Sequence, residues 1–546
     1  MARDNAISAE LTRLTAPVSR RLRLSAGLTV LAEVLWLPQA ALLAWGLAGL
    51  AISEDVALGW IALGFAALGV LRALLGLAAS SGAEAAADAV IADTRVTLLA
   101  RADRRAPEAA APSSAATAAL LVDKVEMLRP YLLRWHPVRA RVAAVPLLIL
   151  AVSFAISWSA GLILAIGGPV IPMFMALIGL AARDASQRQM DEITDLNALM
   201  LDRIGALVDI RLLGARQTML DDFTTRADRL RGRTMKVLRI AFLSGAVLEL
   251  FAALGVAMMA VFVGFTLLGA LNFGVWGRSL GVGEGIFLLL LAPAFFQPLR
   301  DMAAAWHDRI AAQAVARDLL ADAADPAPAI LGPGGGAKVL AGAISTEGLL
   351  LRGRAMPDLA IARGEGVALT GPSGAGKTAL LLALAGLLPS EGAVRIDGQP
   401  LTDRNADAWR AGLALIPQKP HFMDASLRDN LTSGRDYDEA AIAEALRLAR
   451  AHSLVARLPE GLATRLGEGG AGVSGGEARR LTIARAALLR PAVILADEPT
   501  ADLDDRTAEA VVEGLLSLHR AGATLIVASH DPRLIDALPR RIEVAP

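Results

Sequence analysis

Apolar stretches recur through the first half of the chain at about 24–52, 57–79, 138–158, 161–182, 240–271 and 281–303. Each is close to the ~20 residues a helix needs to cross a hydrocarbon core. Backbone groups cannot be left unpaired in lipid, so the pattern predicts six membrane-spanning helices. After about residue 340 short apolar runs alternate with helical ones, which predicts an α/β domain with a largely parallel sheet. Between them, 322–338 (DAADPAPAILGPGGGAK) is rich in Ala, Pro and Gly and reads as a linker. The expectation is a multi-domain chain: an all-α six-helix transmembrane domain over 1–321, a linker over 322–339 and an α/β domain over 340–546.

Charge sets the orientation. Residues 1–24 carry five Arg, segment 80–137 seven Lys/Arg and segment 183–239 eleven. The alternate connections at 53–56 and 159–160 have none, and 272–280 has only Arg278. Positive charge stays inside, so both termini and the two long loops are expected on the cytoplasmic side of the membrane. The first span is too long for a cleavable signal, and a second follows almost at once. Within 184–239 apolar residues at helical spacing (Met190, Ile193, Leu196, Met200, Ile204, Val208) predict helices extending spans 4 and 5 into the cytoplasm.

Composition narrows the chemistry. The chain is 55% hydrophobic and 20% charged, with mean hydropathy +0.49. The 54 basic and 54 acidic residues cancel, leaving no compositional case for nucleic-acid binding. Cysteine is absent, which excludes disulfide frameworks, thiolate metal sites and thiol catalysis. Six scattered histidines form no readable metal cage.

Residues 371–378, GPSGAGKT, fit a P-loop between an apolar strand (Val367–Leu369) and a helical run from Ala379. Gly371, Gly374 and Gly376 let the main chain curl around phosphate, with Pro372, Ser373 and Ala375 completing the loop. Lys377 would reach the β- and γ-phosphates, and Thr378 offers a hydroxyl to Mg²⁺. About 120 residues later an apolar strand ends in Asp497 and Glu498. Asp497 is placed to hold Mg²⁺, and Glu498 to polarise an attacking water. Ser474, Gly475, Gly476 and Glu477 open another helix, a second anion-binding geometry. A strand ending at Ser529 presents His530, where a γ-phosphate sensor would sit.

The order P-loop, Gln418, SGGE, DE and His530 resembles the ATP-binding cassette of ABC transporters over about 340–546. The six spans resemble a type IV (exporter-type) membrane domain fused to it in one half-transporter. The resemblance implies that Gln418 senses Mg²⁺ and couples to the membrane domain. Ser474–Glu477 would cap ATP on an opposite cassette, and Asp504 would lie across the same dimer interface. Glu498, Gln418 and His530 would form the catalytic set, with ATP and Mg²⁺ as cofactors. Related cassettes stack adenine on an aromatic residue, yet no Phe, Trp or Tyr occurs from 307 to 408. Arg352 lies near the matching position and is a candidate base contact, with simple solvation as the alternative.

The membrane half narrows the resemblance. Residues 237–265 and 288–315, with Glu249 inside a span and Pro293, Phe295, Phe296, Pro298, Leu299, Arg300 and Asp301 together, are similar to the CydD family of half-transporters. That family pairs with a CydC-like second half-transporter. It is assigned ATP-driven export of cysteine and glutathione, supports cytochrome bd assembly, and is linked to haem as cofactor or cargo. A homodimeric lipid or drug exporter and an ATP-gated assembly protein remain alternatives. With no cysteine, thiol transport cannot proceed through a mixed disulfide with this chain. Charge at membrane depth marks a functional candidate. Arg72 would meet a cargo carboxylate or haem propionate, or else snorkel or pair with Glu249 or Glu33. Glu249 and His307, beside Trp306, complete the substrate candidates, with a structural histidine as the alternative for His307.

Overall fold

The computed structural model describes residues 2–52, 57–106, 114–174, 199–200, 203, 206–271, 273–324, 329–332, 340–467 and 472–545. Two compact units result: Met1–Thr97 with Ser114–Ala324, and Leu98–Ser113 with Asp325–Pro546.

The long apolar helices of the first unit are α1 (Asn5–Ile52), α2 (Leu58–Asp103), α3 (Thr117–Ile156), α4 (Trp158–Phe174), α5 (Arg216–Leu267) and α6 (Val282–Ala324). Among the described residues, all but the shorter α4 are long and apolar enough to cross a membrane. The expected continuation of α4 to 182, and the apolar positions Met190, Ile193, Leu196 and Ile204, lie outside the described residues. The helices overrun their apolar stretches: α2 has 46 residues, α5 has 52 and α6 has 43. The polar start of α5 is supported by i,i+4 pairs, Gln217 to Asp221 at 3.0 Å and Arg226 to Asp222 at 3.2 Å.

The core of this unit gathers Leu288, Leu291, Ala292, Phe295 and Phe296 of α6 with Ile149 of α3, Leu164 of α4 and Met259 of α5. Between helices in lipid, close packing replaces the hydrophobic effect, and small residues permit it. Gly255 on α5 shows the constraint: a Cβ there would run into the Phe296 ring. Gly255→Ala should therefore destabilise the bundle by about 1–3 kcal/mol. A lower unfolding midpoint in detergent, recovered by adding Phe296→Leu, is the expected measurement. Outward, Trp60 (75% exposed) and Leu268 (82%) present apolar surface that only lipid or another subunit satisfies.

The second unit is built on a five-stranded, fully parallel sheet. Its members are β2 (Gly366–Thr370), β4 (Leu413–Ile416), β5 (Val493–Asp497), β6 (Thr524–Ala528) and β7 (Arg540–Glu543). The spatial order is β7-β2-β6-β5-β4. Strands β2, β5 and β6 are buried at every position, as expected of a parallel sheet covered on both faces. A second, antiparallel sheet pairs β1 (Ile344–Leu351) with β3 (Glu391–Ile396). Helices α7 (Lys377–Leu384), α8 (Gly475–Leu489) and α9 (Asp505–Arg520) pack on these sheets. Trp409, fully buried, donates its indole N–H to the Leu384 carbonyl at 2.7 Å.

The stretch expected as a linker is only partly one. Helix α6 continues to Ala324, and Ile330 and Leu331 pack against the second unit's core. The Leu331 N–H donates to Gly386 O at 3.0 Å, Arg410 Nη2 donates to Leu331 O at 2.7 Å, and the Gly332 N–H donates to Asp403 Oδ1 at 2.8 Å. Two apolar side chains among Pro and Gly supply the anchor that composition alone hides.

Candidate functional site

Parallel register brings the site together. Asp497 at the end of β5 pairs with Ala528 of β6, which pairs with Leu369 of β2. The P-loop follows β2, so loop, acidic pair and His530 all leave the same carboxyl edge of the sheet, where open α/β sheets bind ligands. Gly371 has φ +145°, and a Cβ there would collide with the Val544 carbonyl. Gly376 caps α7 at φ +98°, against the Met356 side chain. These two positions require glycine for both conformation and space.

Lys377 is 7% exposed and folds back over its own loop. Its Nζ donates to Gly371 O at 2.8 Å and Pro372 O at 3.2 Å, and lies 2.9 Å from His530 Nε2. The Glu498 carboxylate stands 4.0 Å from Lys377 Nζ and 3.6 Å from His530 Nε2. Thus Lys377, Glu498 and His530, distant in sequence, converge on one point. The loop's main-chain oxygens are neutral partners for the lysine, weaker than an anionic oxygen would be.

Thr378 Oγ1 donates to Asp497 Oδ2 at 2.8 Å. The other oxygen, Oδ1, is buried with no hydrogen-bond partner. A buried acceptor without a donor is costly, and a cation relieves it. Burial pushes the Asp497 carboxyl above its ordinary range, opposed by the Thr378 bond and the Lys377 charge. The hydroxyl–carboxylate pair with its spare oxygen fits a hard oxygen-seeking ion such as Mg²⁺.

Glu498 itself is in the left-handed region, φ +43°. Its N–H donates to Ala528 O at 2.8 Å. Its carbonyl accepts from Arg479 Nη1 at 2.7 Å, while Arg479 Nη2 reaches the carbonyl of exposed Gln418 at 3.1 Å. Burial lowers the Arg479 guanidinium below the usual arginine range, with Asp502 and Glu498 opposing.

Ser474 and Glu477 form a reciprocal capping box at the start of α8, with bonds of 3.3 and 2.9 Å. Burial raises Glu477, but the Ser474 bonds and Arg457 bring it net below the ordinary carboxylate range. Asp504 caps α9 by accepting from the Thr507 N–H at 3.1 Å, and hydrogen bonds from the Thr507 side chain and main chain lower its carboxyl. A Cβ on Gly476 would meet Thr507 and Leu503, so the SGG turn packs on the start of α9. Gly475 and Ser474 are exposed there.

Arg352 occupies the exposed β1 turn at φ +53°. Its neighbour Arg354 makes the contact with the phosphate loop, Nη1 to Gly374 O at 2.8 Å. Sequence reasoning singled out neither Arg354 nor Arg479; a lone Arg beside glycines, or one in a helix following SGG, reads as a solvated charge. Both are revealed only by the carbonyls they hold.

In the membrane unit Arg72 and Glu249 are not partners. Arg72 Nη2 lies 3.4 Å from Glu33 Oε2 and its guanidinium 5.6 Å from the Trp36 ring. Glu33 also meets Arg141 at 3.2 Å, which meets Asp301 at 3.1 Å. Gln297 bonds Asp301 at 2.8 Å and also Arg300, which holds Glu249 at 2.7 Å. One polar chain therefore links α2, α1, α3, α6 and α5. His307 is exposed on α6, and no cluster of three or more His, Asp or Glu side chains among the described residues could hold a metal ion.

The family profile of the ABC transporter transmembrane region matches residues 23–297, and that of the ABC transporter matches residues 356–501. The chain is 36% identical over 419 residues to the glutathione/L-cysteine transport system ATP-binding/permease protein CydD of Haemophilus influenzae, covering 75% of this chain and 71% of that one. It is 35% identical over 432 residues to the Escherichia coli protein of the same name, covering 77% and 73%. A Bacillus subtilis CydC is 31% identical over 410 residues, covering 73% and 70%. Phosphate loop, acidic strand end and apolar helices thus meet in one lineage: this chain belongs to the ABC transporters, as a multi-pass membrane protein that hydrolyses ATP through its own cassette.

Proposed function

We propose that the chain is one half of a heterodimeric exporter of small thiols, cysteine or glutathione, across the bacterial inner membrane, with a CydC-like second half-transporter and both termini cytoplasmic. The supporting observation is identity of 35–36% to proteins named as glutathione/L-cysteine transporters, extending over three quarters of this chain. In this reading Lys377 and the loop 371–376 bind the ATP phosphates. Thr378 and Asp497, with Gln418, would hold Mg²⁺, which would supply neutralisation of phosphate charge. Glu498 takes a proton from the attacking water, and His530, once Lys377 moves to phosphate, is free to meet the γ-phosphate. Ser474–Glu477, whose Ser474 and Gly475 are exposed, and exposed Asp504, at two helix starts, serve the partner's nucleotide, and the partner serves this one.

Arg72 is the cargo contact that the geometry favours. Its ion pair with Glu33 is long, and a cargo carboxylate would offer a shorter bidentate contact. Glu249 and His307 stand further back: Glu249 is already held by Arg300, and His307 would act only as a secondary contact. Support for assembly of cytochrome bd would follow from delivery of thiol reductant to the periplasm.

Inside-out vesicles containing both half-transporters should take up labelled glutathione or cysteine only with MgATP. Arg72→Ala should raise the apparent KM for the thiol by about tenfold. Haem uptake in place of thiol uptake would replace the cargo, and ATP hydrolysis without uptake of either would replace transport by an assembly role.

A further inference from the structure

Arg479 in the second turn of α8 is 7% exposed, an unusual position for a guanidinium. It spends both terminal nitrogens on main-chain carbonyls, those of Glu498 at 2.7 Å and Gln418 at 3.1 Å. These two residues follow neighbouring strands β5 and β4 of the sheet. Glu498 needs the support. Its left-handed main chain is one a non-glycine residue adopts only when its surroundings impose it. Strand β6 fixes the N–H through Ala528 O, and Arg479 fixes the carbonyl. With both ends of that peptide segment tied, the Glu498 side chain has one direction to leave, toward His530 and Lys377. The planar fork matters: it spans two carbonyls at once, which a single ammonium does not do with the same fixed geometry.

We propose that Arg479 is a positioning residue for ATP hydrolysis, bracing Glu498 and the Gln418 turn against the helix that begins at Ser474–Glu477. The aim of the base is thereby tied to the element exposed to the second cassette. The inference rests on the base role proposed for Glu498.

The test uses the full-length chain with its partner half-transporter in nanodiscs. Arg479→Gln should lower kcat by about ten- to a hundredfold with the KM for MgATP changed by less than about twofold. Arg479→Lys, which keeps the charge but not the fork, should recover part of that loss. In a Glu498→Gln background, adding Arg479→Gln should change residual phosphate release by less than about twofold, because no base remains to be aimed. Unchanged kcat in both Arg479 variants would overturn the proposal. So would a raised KM at constant kcat, or an equal loss in the Glu498→Gln background. Should Arg479→Gln fail to fold, the kcat and KM of Arg479→Lys decide by the same criteria: a lowered kcat at constant KM supports the brace, and anything else ends it. Normal turnover by Glu498→Gln alone would instead remove the underlying assignment of the base.

Discussion

Glu498→Gln should lower steady-state ATP turnover by at least about a hundredfold while leaving MgATP tightly bound, since general-base assistance contributes roughly 10²- to 10⁴-fold. Glutamine keeps the length of the side chain and leaves both main-chain anchors intact, the N–H on Ala528 O and the carbonyl under Arg479. What it loses is the capacity to accept a proton from water. It also removes a negative charge 4.0 Å from Lys377 Nζ, so the lysine becomes more available to phosphate. Binding and chemistry should therefore separate: nucleotide retained through rapid desalting rises while phosphate release falls. Turnover within about threefold of the unaltered protein would take the base role away from Glu498.

Lys377→Ala should act at the opposite stage and weaken MgATP binding by about one to two orders of magnitude. Each charge-assisted hydrogen bond is worth about 1.5–3 kcal/mol, and each 1.4 kcal/mol is tenfold in affinity. The ammonium holds Gly371 O and Pro372 O in the resting loop, so alanine also removes an internal brace there. A fluorescent-nucleotide titration should show the loss. The ligand-dependent rise in unfolding midpoint, which scales with RT ln(1 + [L]/Kd), should shrink with it. Undiminished affinity would mean that the lysine stays on its carbonyls and that phosphate is held elsewhere.

The catalytic half was legible because its chemistry is local. Glycines at fixed spacing before a Lys-Thr pair, and an acidic pair after a buried strand, each carry their meaning within a few residues. Parallel register then assembles them without further information from the chain. Arg479 and Arg354 were not legible, because their partners are main-chain oxygens contributed by segments that the sequence does not mark. The membrane half shows the same limit. Arg72, Glu249 and Glu33 stand out as charges within apolar stretches. The Arg72–Glu33 pair was among those the sequence offered, but the further partners, Arg141 for Glu33 and Arg300 for Glu249, sit at the edges of such stretches, where sequence alone does not mark them as partners. The anchored arm at 330–332 was missed because Ala, Pro and Gly dominate its neighbourhood, while burial is supplied by Ile330 and Leu331 alone.

The polar chain from Arg72 to Glu249 also bears on how the bundle is made. Its members enter the bilayer on separate segments during synthesis, and each lone charge costs up to about 2.5–3.5 kcal/mol near the middle of a helix. Arg141 cannot be neutralised by both Glu33 and Asp301 until the last segment has arrived, since Asp301 rides on α6. Early intermediates therefore expose mismatched charge to the insertion machinery, and the completed molecule does not. Loss of one acid, as in Glu33→Gln, would strand Arg72 and leave Arg141 to Asp301 alone, so such chains should be removed by membrane quality control before any question of transport arises.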